Sequence, residues 1–205
     1  MNHKEITKQS YTSTADAYAA NVANLAPLDS IKHLLSKLPP HPDIIDIGCG
    51  SGRDAKIFSD HGAKVTGIDF SQSMLEIAKK HSPTSNFLLM DIENMTFEAA
   101  TFDAAWAACS LMHIPKSNFV TVLQKIHLFL KESGYLYLAL KQGNGEGLMK
   151  DERYDGDVQK YVSFYKEEEL RNYIEKAQFN ILEFDLIEKS HQYQTHSAFR
   201  IVCQK

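Results

Sequence analysis

Three acidic residues, each within or at the end of an apolar stretch, give this sequence its clearest chemical pattern. Asp46 lies in IIDIGCGSGR, Asp69 ends KVTGID and Asp91 ends NFLLMD. A glycine-rich turn after an apolar strand usually binds phosphate through its backbone N–H groups. A carboxylate two residues before the first glycine would repel a phosphate, whereas it would attract a ligand that carries positive charge. The pattern therefore favours a cationic ligand.

The glycine-rich turn does not match the dinucleotide-binding pattern. Gly48, Gly50 and Gly52 permit a tight turn and a close approach of the backbone to a ligand. The dinucleotide fingerprint G-x-G-x-x-G would place its third glycine at position 53, where the sequence has Arg53. A nucleotide-dependent oxidoreductase is therefore disfavoured.

The elements that must position these acids alternate between strand and helix, which predicts a mostly parallel sheet with helices on both faces. In such sheets ligands bind at the carboxyl ends of the strands, where all three acids fall. Only SHQYQTH separates the last two predicted strands, too little for a parallel crossover, so they should form an antiparallel hairpin. The predicted strands are 43–48, 64–69, 86–91, 102–109, 135–140, 181–189 and 197–204.

Helices are predicted where apolar residues recur at helical spacing. Ser73 and Glu76 form a capping-box pattern at the start of one helix. Apolar stripes predict two more helices, over 119–129 and 170–177. Before the break at LPPHP, weaker patterns predict helices over 12–22 and 28–38.

The stretch DIGCGSG, with acids at the next two strand ends, resembles the first motif of small single-domain class I S-adenosylmethionine-dependent methyltransferases. The cofactor of that family carries an ammonium and a sulfonium but no phosphate, which would explain the acid beside the glycines. The resemblance implies a Rossmann-like, doubly wound α/β sheet of seven strands in the order 3-2-1-4-5-7-6, with the last strand antiparallel. It also implies one domain over 1–205, with 1–40 as a helical lid and 41–205 as the core.

The family resemblance also implies the roles of individual residues. Asp69 would accept hydrogen bonds from the ribose hydroxyls, Asp91 with Ile92 would bind the adenine, and the CSLMHIP stretch at 109–115 would contact the methionine part. Tyr11 and Tyr18 would close over the cofactor and exclude water. The cofactor-binding residues expected on this basis are Tyr11, Tyr18, Asp46, Gly48, Gly50, Arg53, Asp69, Phe70, Met74, Asp91, Ile92, Cys109, Ser110 and His113.

Some of these residues have simpler interpretations. Asp69 and Asp91 can each cap a following helix, although their order at successive strand ends favours ligand contact. His113 is either a proton acceptor near the methyl group or a loop residue that fixes backbone geometry, and the second role is favoured. Tyr11 and Tyr18 share a helix face at their seven-residue spacing, so helix packing is an alternative for them.

A second glycine triplet, KQGNGEG at 141–147, follows the fifth predicted strand. It is either a flexible loop or a substrate-side loop in which Lys141 or Glu146 faces the methyl acceptor. His113, Lys141 and Glu146 are thus the catalytic candidates, and none is assigned. Methyl transfer does not require a base, because positioning contributes about 7–11 kcal/mol whereas a general base adds only ~10²–10⁴-fold.

The composition limits which binding partners are expected for this protein. The formal net charge is -4, from 22 basic and 26 acidic side chains, and no long basic block exists, so a nucleic-acid partner is disfavoured. A small-molecule acceptor is expected; the alternatives are an RNA or protein acceptor with a partner subunit, or a non-catalytic S-adenosylmethionine-binding module. Neither a metal site nor an oligomeric state is predicted.

Three scattered cysteines argue against a disulfide framework and fit a reducing compartment. The first ten residues, MNHKEITKQS, contain no apolar segment of a secretory signal. The longest apolar stretch, around 104–109, is too short to span a bilayer. These features predict a cytoplasmic protein.

Overall fold

A computed structural model of the chain describes residues 2–189 and 193–205. Its strands are β1 (Asp43–Ile47), β2 (Lys64–Asp69), β3 (Asn86–Leu89), β4 (Phe102–Ala108), β5 (Leu130–Lys141), β6 (Glu146–Lys150), β7 (Gln159–Ser163), β8 (Asn180–Ile187) and β9 (Ala198–Gln204). Its α-helices are α1 (His3–Ser13), α2 (Ala15–Val22), α3 (Leu28–Leu35), α4 (Arg53–Asp60), α5 (Gln72–His81), α6 (Lys116–Phe129) and α7 (Glu167–Lys176).

The main sheet has seven strands among the described residues, in the order β3-β2-β1-β4-β5-β9-β8. The first five strands pair in parallel, and β9 runs antiparallel to both β5 and β8. The predicted fold class and strand order are confirmed, because β8 and β9 are the predicted sixth and seventh strands. Residues 190–192 of the predicted hairpin connector lie outside the described residues.

Apolar residues pack on both faces of this sheet. Trp106 of β4 is fully buried, and its ring stacks on Tyr137 of β5 with centroids 3.8 Å apart. The stripe predicted on α6 is buried against the other face, where Phe119 and Leu123 are inaccessible to solvent. Because apolar residues pack on both faces of the sheet, the carboxyl ends of the parallel strands are held in fixed positions relative to one another.

The strands β6 and β7 form a separate antiparallel pair that the sequence did not predict. Gly147 lies opposite Val162 in their register. The interpretation of 141–147 as a loop is therefore wrong for Lys141, which ends β5, and for Glu146 and Gly147, which lie in β6. EGLMK has little strand character of its own, and its conformation comes from pairing with β7.

The N-terminal region also differs from the prediction, because two helices replace the single one expected over 12–22. Asn2 caps α1, and its side chain accepts a hydrogen bond from the Glu5 N–H at 2.9 Å. The buried residues of α1 are Thr7 and Ser10 rather than an apolar stripe. A helix that packs through hydroxyl groups gives no hydrophobic period, so the sequence could not reveal it.

The start of α5 is also corrected by the structure. Ser71, not Ser73, occupies the cap position, and its hydroxyl accepts from the Met74 N–H at 3.4 Å. The helix therefore begins two residues earlier than the capping-box pattern indicated. This places Asp69 and Phe70 immediately before the cap, at the edge of the sheet.

Candidate functional site

A cavity lies at the carboxyl ends of β1, β2 and β4, and α1 and α2 contribute to its walls. It brings together every sequence-predicted cofactor residue except Asp46 and Arg53. It also includes Ile114, from the predicted 109–115 stretch, and three residues that the sequence analysis missed: Lys4, Glu93 and Ala108. The lining consists of Lys4, Tyr11, Tyr18, Gly48, Gly50, Asp69, Phe70, Met74, Asp91, Ile92, Glu93, Ala108, Cys109, Ser110, His113 and Ile114.

The glycine turn forms one wall of this cavity. Gly48 has φ +71°, and a Cβ atom at this position would lie 2.4 Å from the Cβ of Ser110. Gly50 has φ +53°, and its N–H donates to Asp69 Oδ2 at 3.0 Å. Because these residues lack a side chain, the backbone of the turn packs directly against the end of β4 and faces the cavity.

Asp46 precedes the turn and is almost completely buried, with 3% of its surface exposed. Its Oδ2 atom has no hydrogen-bond partner among the described residues. Burial, followed by the nearby charge of Asp54, raises the pKa of the Asp46 carboxyl well above its usual range. A buried carboxylate oxygen without a donor fits a ligand that brings positive charge to the turn.

Ser110 supplies a second unsatisfied polar atom, and this one is in the cavity wall. Its Oγ is buried without a hydrogen-bond partner among the described residues. Buried polar atoms are nearly always satisfied in folded proteins, so two such atoms flanking one glycine turn indicate a polar ligand there.

Asp69 is buried in the cavity wall and is held by the backbone. Its Oδ1 accepts from the Ser71 N–H at 2.8 Å, and its Oδ2 accepts from Gly50. Burial raises the pKa of this carboxyl to about 6, although the N–H groups of Ser71 and Gly50 act in the opposite direction. Each carboxylate oxygen has a second lone pair that a ligand could use. Asp69 can therefore stabilise the turn before α5 and contact a ligand at the same time.

Asp91 forms more contacts with protein groups than Asp69 does. Its carboxylate accepts from the Glu93 N–H and the Asn94 side chain, each at 3.0 Å, and pairs with Lys4 Nζ at 2.7 Å. Lys4 also contacts the Glu93 carboxylate. The first helix is therefore joined to the third acid by an ion pair, which no local sequence signal could have indicated.

His113 has both ring nitrogens engaged. Nδ1 lies 2.6 Å from the Tyr161 carbonyl, which can only accept, so Nδ1 carries the proton. Nε2 therefore accepts from the Tyr11 hydroxyl at 2.8 Å. Burial lowers the pKa of His113 to about 4, so the ring is neutral at pH 7. This arrangement favours the interpretation that His113 fixes loop and lid geometry.

Arg53 lies outside the cavity lining. Its guanidinium donates to both Asp54 carboxylate oxygens, at 2.7 and 3.1 Å, and to the Val22 carbonyl at 3.2 Å. Asp54 also accepts from the Trp106 ring N–H at 2.9 Å. Arg53 thus connects the end of α2 to the core.

The two acceptor-side candidates also lie outside the lining. Glu146 Oε2 accepts from the Lys116 N–H at 2.7 Å, at the start of α6, and from the Ser163 hydroxyl at 3.0 Å. Lys141 Nζ donates to Thr195 Oγ1 at 2.8 Å. Glu146 therefore joins β6 to α6 and β7, whereas Lys141 lies beside the end of β4, where the Cys109 N–H donates to the Ala139 carbonyl at 2.9 Å.

Comparison with known families identifies the part of the chain that carries this site. Residues 44–134 match the family model described as a methyltransferase domain. These residues are thus similar to the methyltransferase domains of that family. The matched range runs from β1 into β5, so it includes the glycine turn and the three acids. The family prediction made from the sequence is confirmed.

Individual relatives agree with this assignment. A ubiquinone biosynthesis O-methyltransferase of Coxiella burnetii is 31% identical over 100 residues, which cover 47% of this chain and 42% of that enzyme. The chain thus matches less than half the length of this curated relative. A Burkholderia thailandensis 1,6-didemethyltoxoflavin-N1-methyltransferase, solved with bound S-adenosylhomocysteine, has a TM-score of 0.78 at 18% identity, covering 98% of this chain and 88% of its own.

A second solved structure covers the whole chain. The magnesium protoporphyrin IX methyltransferase of Synechocystis, solved with bound S-adenosylmethionine, has a TM-score of 0.73 at 18% identity and covers 100% of this chain and 98% of its own. At this identity the likeness establishes the fold.

The described residues contain neither a membrane-spanning helix nor a cluster of metal-binding side chains. No helix among them is long and apolar enough to cross a membrane. No group of three or more His, Cys, Asp or Glu side chains within the same residues is arranged to hold a metal ion.

Proposed function

We propose that this protein is an S-adenosylmethionine-dependent methyltransferase that acts on an oxygen, nitrogen or sulfur nucleophile of a small molecule. The observation that carries the proposal is the buried Asp46 carboxylate, which has an unsatisfied oxygen directly before the glycine turn. A phosphate-bearing nucleotide would place negative charge against this acid. A cofactor with an ammonium, a sulfonium and no phosphate suits it.

The cofactor would be held by the residues that line the cavity. Asp69 would accept from the ribose hydroxyls, and Asp91 with Ile92 would bind the adenine. Ser110 and the backbone of Gly48 would face the methionine part. When bound, S-adenosylmethionine supplies an electrophilic methyl group on sulfur and leaves as a neutral thioether, S-adenosylhomocysteine.

The protein would contribute mainly by positioning and by excluding water. Tyr11 packs edge-on against Tyr18, with ring centroids 5.4 Å apart, and its hydroxyl is fixed by His113. Held in this way, the two rings would cover the reacting groups. Correct alignment of the acceptor behind the methyl group contributes about 7–11 kcal/mol, which makes a general base unnecessary. His113 would be a poor base, because burial lowers its pKa to about 4 and its Nε2 atom already accepts a hydrogen bond from Tyr11.

We further infer that residues 1–205 act as one methyltransferase unit in which 1–40 form the lid. Support comes from Arg53, which joins the end of α2 to the core, and from Lys4, which joins α1 to Asp91. The lid would have to open for the cofactor to enter, because Lys4, Tyr11 and Tyr18 all belong to the cavity wall.

A small-molecule acceptor is favoured over RNA or a protein. The net charge of -4 opposes binding to a polyanion, and the similar proteins include a ubiquinone biosynthesis O-methyltransferase and a 1,6-didemethyltoxoflavin-N1-methyltransferase. The alternative of a non-catalytic module is distinguished by whether bound cofactor transfers its methyl group.

The test is a screen of metabolite extracts for transfer of labelled methyl from S-adenosylmethionine, followed by identification of the labelled product. The expected result is a labelled small molecule that is absent with the Asp69→Ala variant. A protein that binds the cofactor but labels nothing in small-molecule, RNA and protein fractions would contradict the enzymatic proposal.

A further inference from the structure

A group of cationic and aromatic side chains adjoins the cavity wall and is not used by the cofactor assignment. We call it the basic–aromatic cluster. It lies on the segment that includes β6 and β7, on the end of β5 and near the start of β9. Its members are Lys141, Arg153, Tyr154, Lys160 and Tyr193.

Lys160 of β7 connects the cluster to the lid tyrosines. The residue is buried, with 3% of its surface exposed. Its ammonium lies 4.2 Å from the centre of the Tyr11 ring and 5.8 Å from that of Tyr18, and it pairs with Asp151 Oδ2 at 2.8 Å. The two rings that close the cavity therefore have a buried cation behind them.

Arg153 extends the same arrangement. Its guanidinium forms a two-pronged ion pair with Asp151, at 2.6 and 2.7 Å, and lies 4.3 Å from the centre of the Tyr193 ring. The hydroxyls of Tyr154 and Tyr193 are 2.7 Å apart. Asp151 is thus shared between Arg153 and Lys160, so one acid serves two cations.

Lys141 has no acid partner among the described residues. Its ammonium donates to the Thr195 hydroxyl, and no carboxylate of the described residues forms an ion pair with it. Burial, and next the charge of Arg153, lowers the pKa of Lys141, whereas Cys109 and Asp151 act in the opposite direction. Lys141, Arg153 and Lys160 with the single acid Asp151 leave the cluster with net positive charge next to Cys109, a residue of the cavity wall.

We infer that the methyl acceptor is a small organic anion whose acid group binds Lys141 beside Arg153. This inference rests on the proposed methyltransferase function, because it assigns the acceptor of that reaction. A partly buried ammonium without an acid partner is stabilised by a ligand that brings a carboxylate or a similar group. The tyrosines of the cluster provide flat apolar surface for the rest of such a molecule.

The carboxylate of the cofactor's own methionine part has the same chemistry, so the experiment must separate the two sources. Lys141 is absent from the cavity lining, which contains the acids assigned to the cofactor. We therefore assign it to the acceptor. In that case removal of its charge should leave the affinity for S-adenosylhomocysteine within about twofold.

The test measures binding of matched acids and amides to the full chain saturated with S-adenosylhomocysteine. The probes are benzoate, 4-hydroxybenzoate, indole-3-acetate and hexanoate, each beside its carboxamide, observed by ligand-detected NMR and calorimetry. The proteins are the wild type, Lys141→Met and the control Lys150→Met. Lys150 is an exposed lysine of β6 without an ion pair among the described residues, so this control makes the same charge change on the same segment.

We expect at least one acid to bind the wild type about tenfold tighter than its amide. Lys141→Met should abolish that preference, and Lys150→Met should retain it. The inference is overturned if no acid binds better than its amide, or if Lys141→Met retains the preference. It is also overturned if Lys141→Met loses S-adenosylhomocysteine affinity while remaining folded by circular dichroism, since the ammonium would then serve the cofactor. Failure of the wild type to bind S-adenosylhomocysteine would instead contradict the proposed function.

Discussion

Asp69 is the residue whose ionisation should control ligand binding most directly. Its pKa of about 6 in the folded protein lies above the ordinary value of 3.8, so the ligand-free fold binds this proton more tightly than the unfolded chain does. Ionised Asp69 therefore lowers the free energy of unfolding above about pH 6. This loss of stability becomes smaller as the pH falls through 6 and the carboxyl is protonated. Ligand hydroxyls donate to the charged form, so affinity should have the opposite dependence on pH.

We predict that the affinity for S-adenosylhomocysteine is constant above about pH 7 and falls by up to tenfold per pH unit below about pH 6. Asp69→Ala should weaken binding at pH 8 by about 2–4 kcal/mol, because two hydroxyl donors lose a charged partner. Calorimetry over this pH range measures both effects. Asp60→Ala is the control, since Asp60 is exposed and, within the part of the chain that the structure describes, pairs only with Lys56. Normal binding by folded Asp69→Ala would assign Asp69 to the turn alone.

Substitutions at Gly48 and Gly145 can separate two effects of an added side chain: the steric clash at the glycine turn, and the backbone strain at positive φ. Both have positive φ, +71° and +81°, but an added Cβ would meet Ser110 at Gly48 and nothing within 4 Å at Gly145. Gly145→Ala should cost about 1 kcal/mol of unfolding free energy from strain alone.

Gly48→Ala should cost about 3 kcal/mol or more, because overpacking against Ser110 adds to the same strain. It should also weaken S-adenosylhomocysteine binding, since Ser110 must move into the cavity or the turn must shift. Urea unfolding with calorimetry provides both measurements. Equal losses of stability in Gly48→Ala and Gly145→Ala would mean that the turn moves away from Ser110 without a cost in free energy.

At the scale of elements, α1 attaches to β7 through hydroxyl hydrogen bonds and through contacts of its Tyr11 and His3 rings, with no apolar stripe. The Ser10 hydroxyl donates to the Gln159 carbonyl at 2.6 Å, and the Tyr161 N–H donates to Thr7 Oγ1 at 2.9 Å. Such bonds contribute about 0.5–1.5 kcal/mol each, which suits an element that must open for ligand exchange.

The double variant Thr7→Ala/Ser10→Ala should therefore release S-adenosylhomocysteine about tenfold faster, with little change in the unfolding of the core. Stopped-flow displacement measures the release rate, and hydrogen exchange measures protection of α1. Ser13→Ala is the matched control, because its hydroxyl bonds only within α1. An unchanged release rate in the double variant would contradict the lid role of α1.

The same elements explain which parts of the fold the sequence could not predict. The parallel strands were readable because each is a short apolar run bounded by turn residues. By contrast, α1 packs through Thr7 and Ser10, and β6 is a strand only because it pairs with β7. Hydrogen bonds between distant segments leave no local pattern, so both elements were missed or misplaced.

At the scale of the whole molecule, most of the candidate site was predicted from the rule that ligands bind at the carboxyl ends of parallel strands. Asp69, Asp91 and Cys109 follow successive strands of one parallel sheet, so the topology alone brings them to one edge. Lys141 was named from the sequence as an acceptor-side candidate. Lys4 and the other members of the basic–aromatic cluster were not predictable, because their positions depend on how α1 and the β6–β7 pair fold over that edge. The proposed cofactor site is thus encoded mainly by local sequence, whereas the proposed acceptor site depends on tertiary packing.

The central claim, a cationic nucleoside cofactor rather than a phosphate-bearing nucleotide, is tested most directly by calorimetry on the purified protein. S-adenosylmethionine, S-adenosylhomocysteine, NAD, NADP and ATP are titrated under identical conditions. The buried acid at Asp46, with Asp69 and Asp91, should repel phosphate and accept the ammonium and ribose groups. We predict binding of the first two ligands and none of the last three. Tighter binding of NAD, NADP or ATP than of S-adenosylmethionine would contradict the assignment.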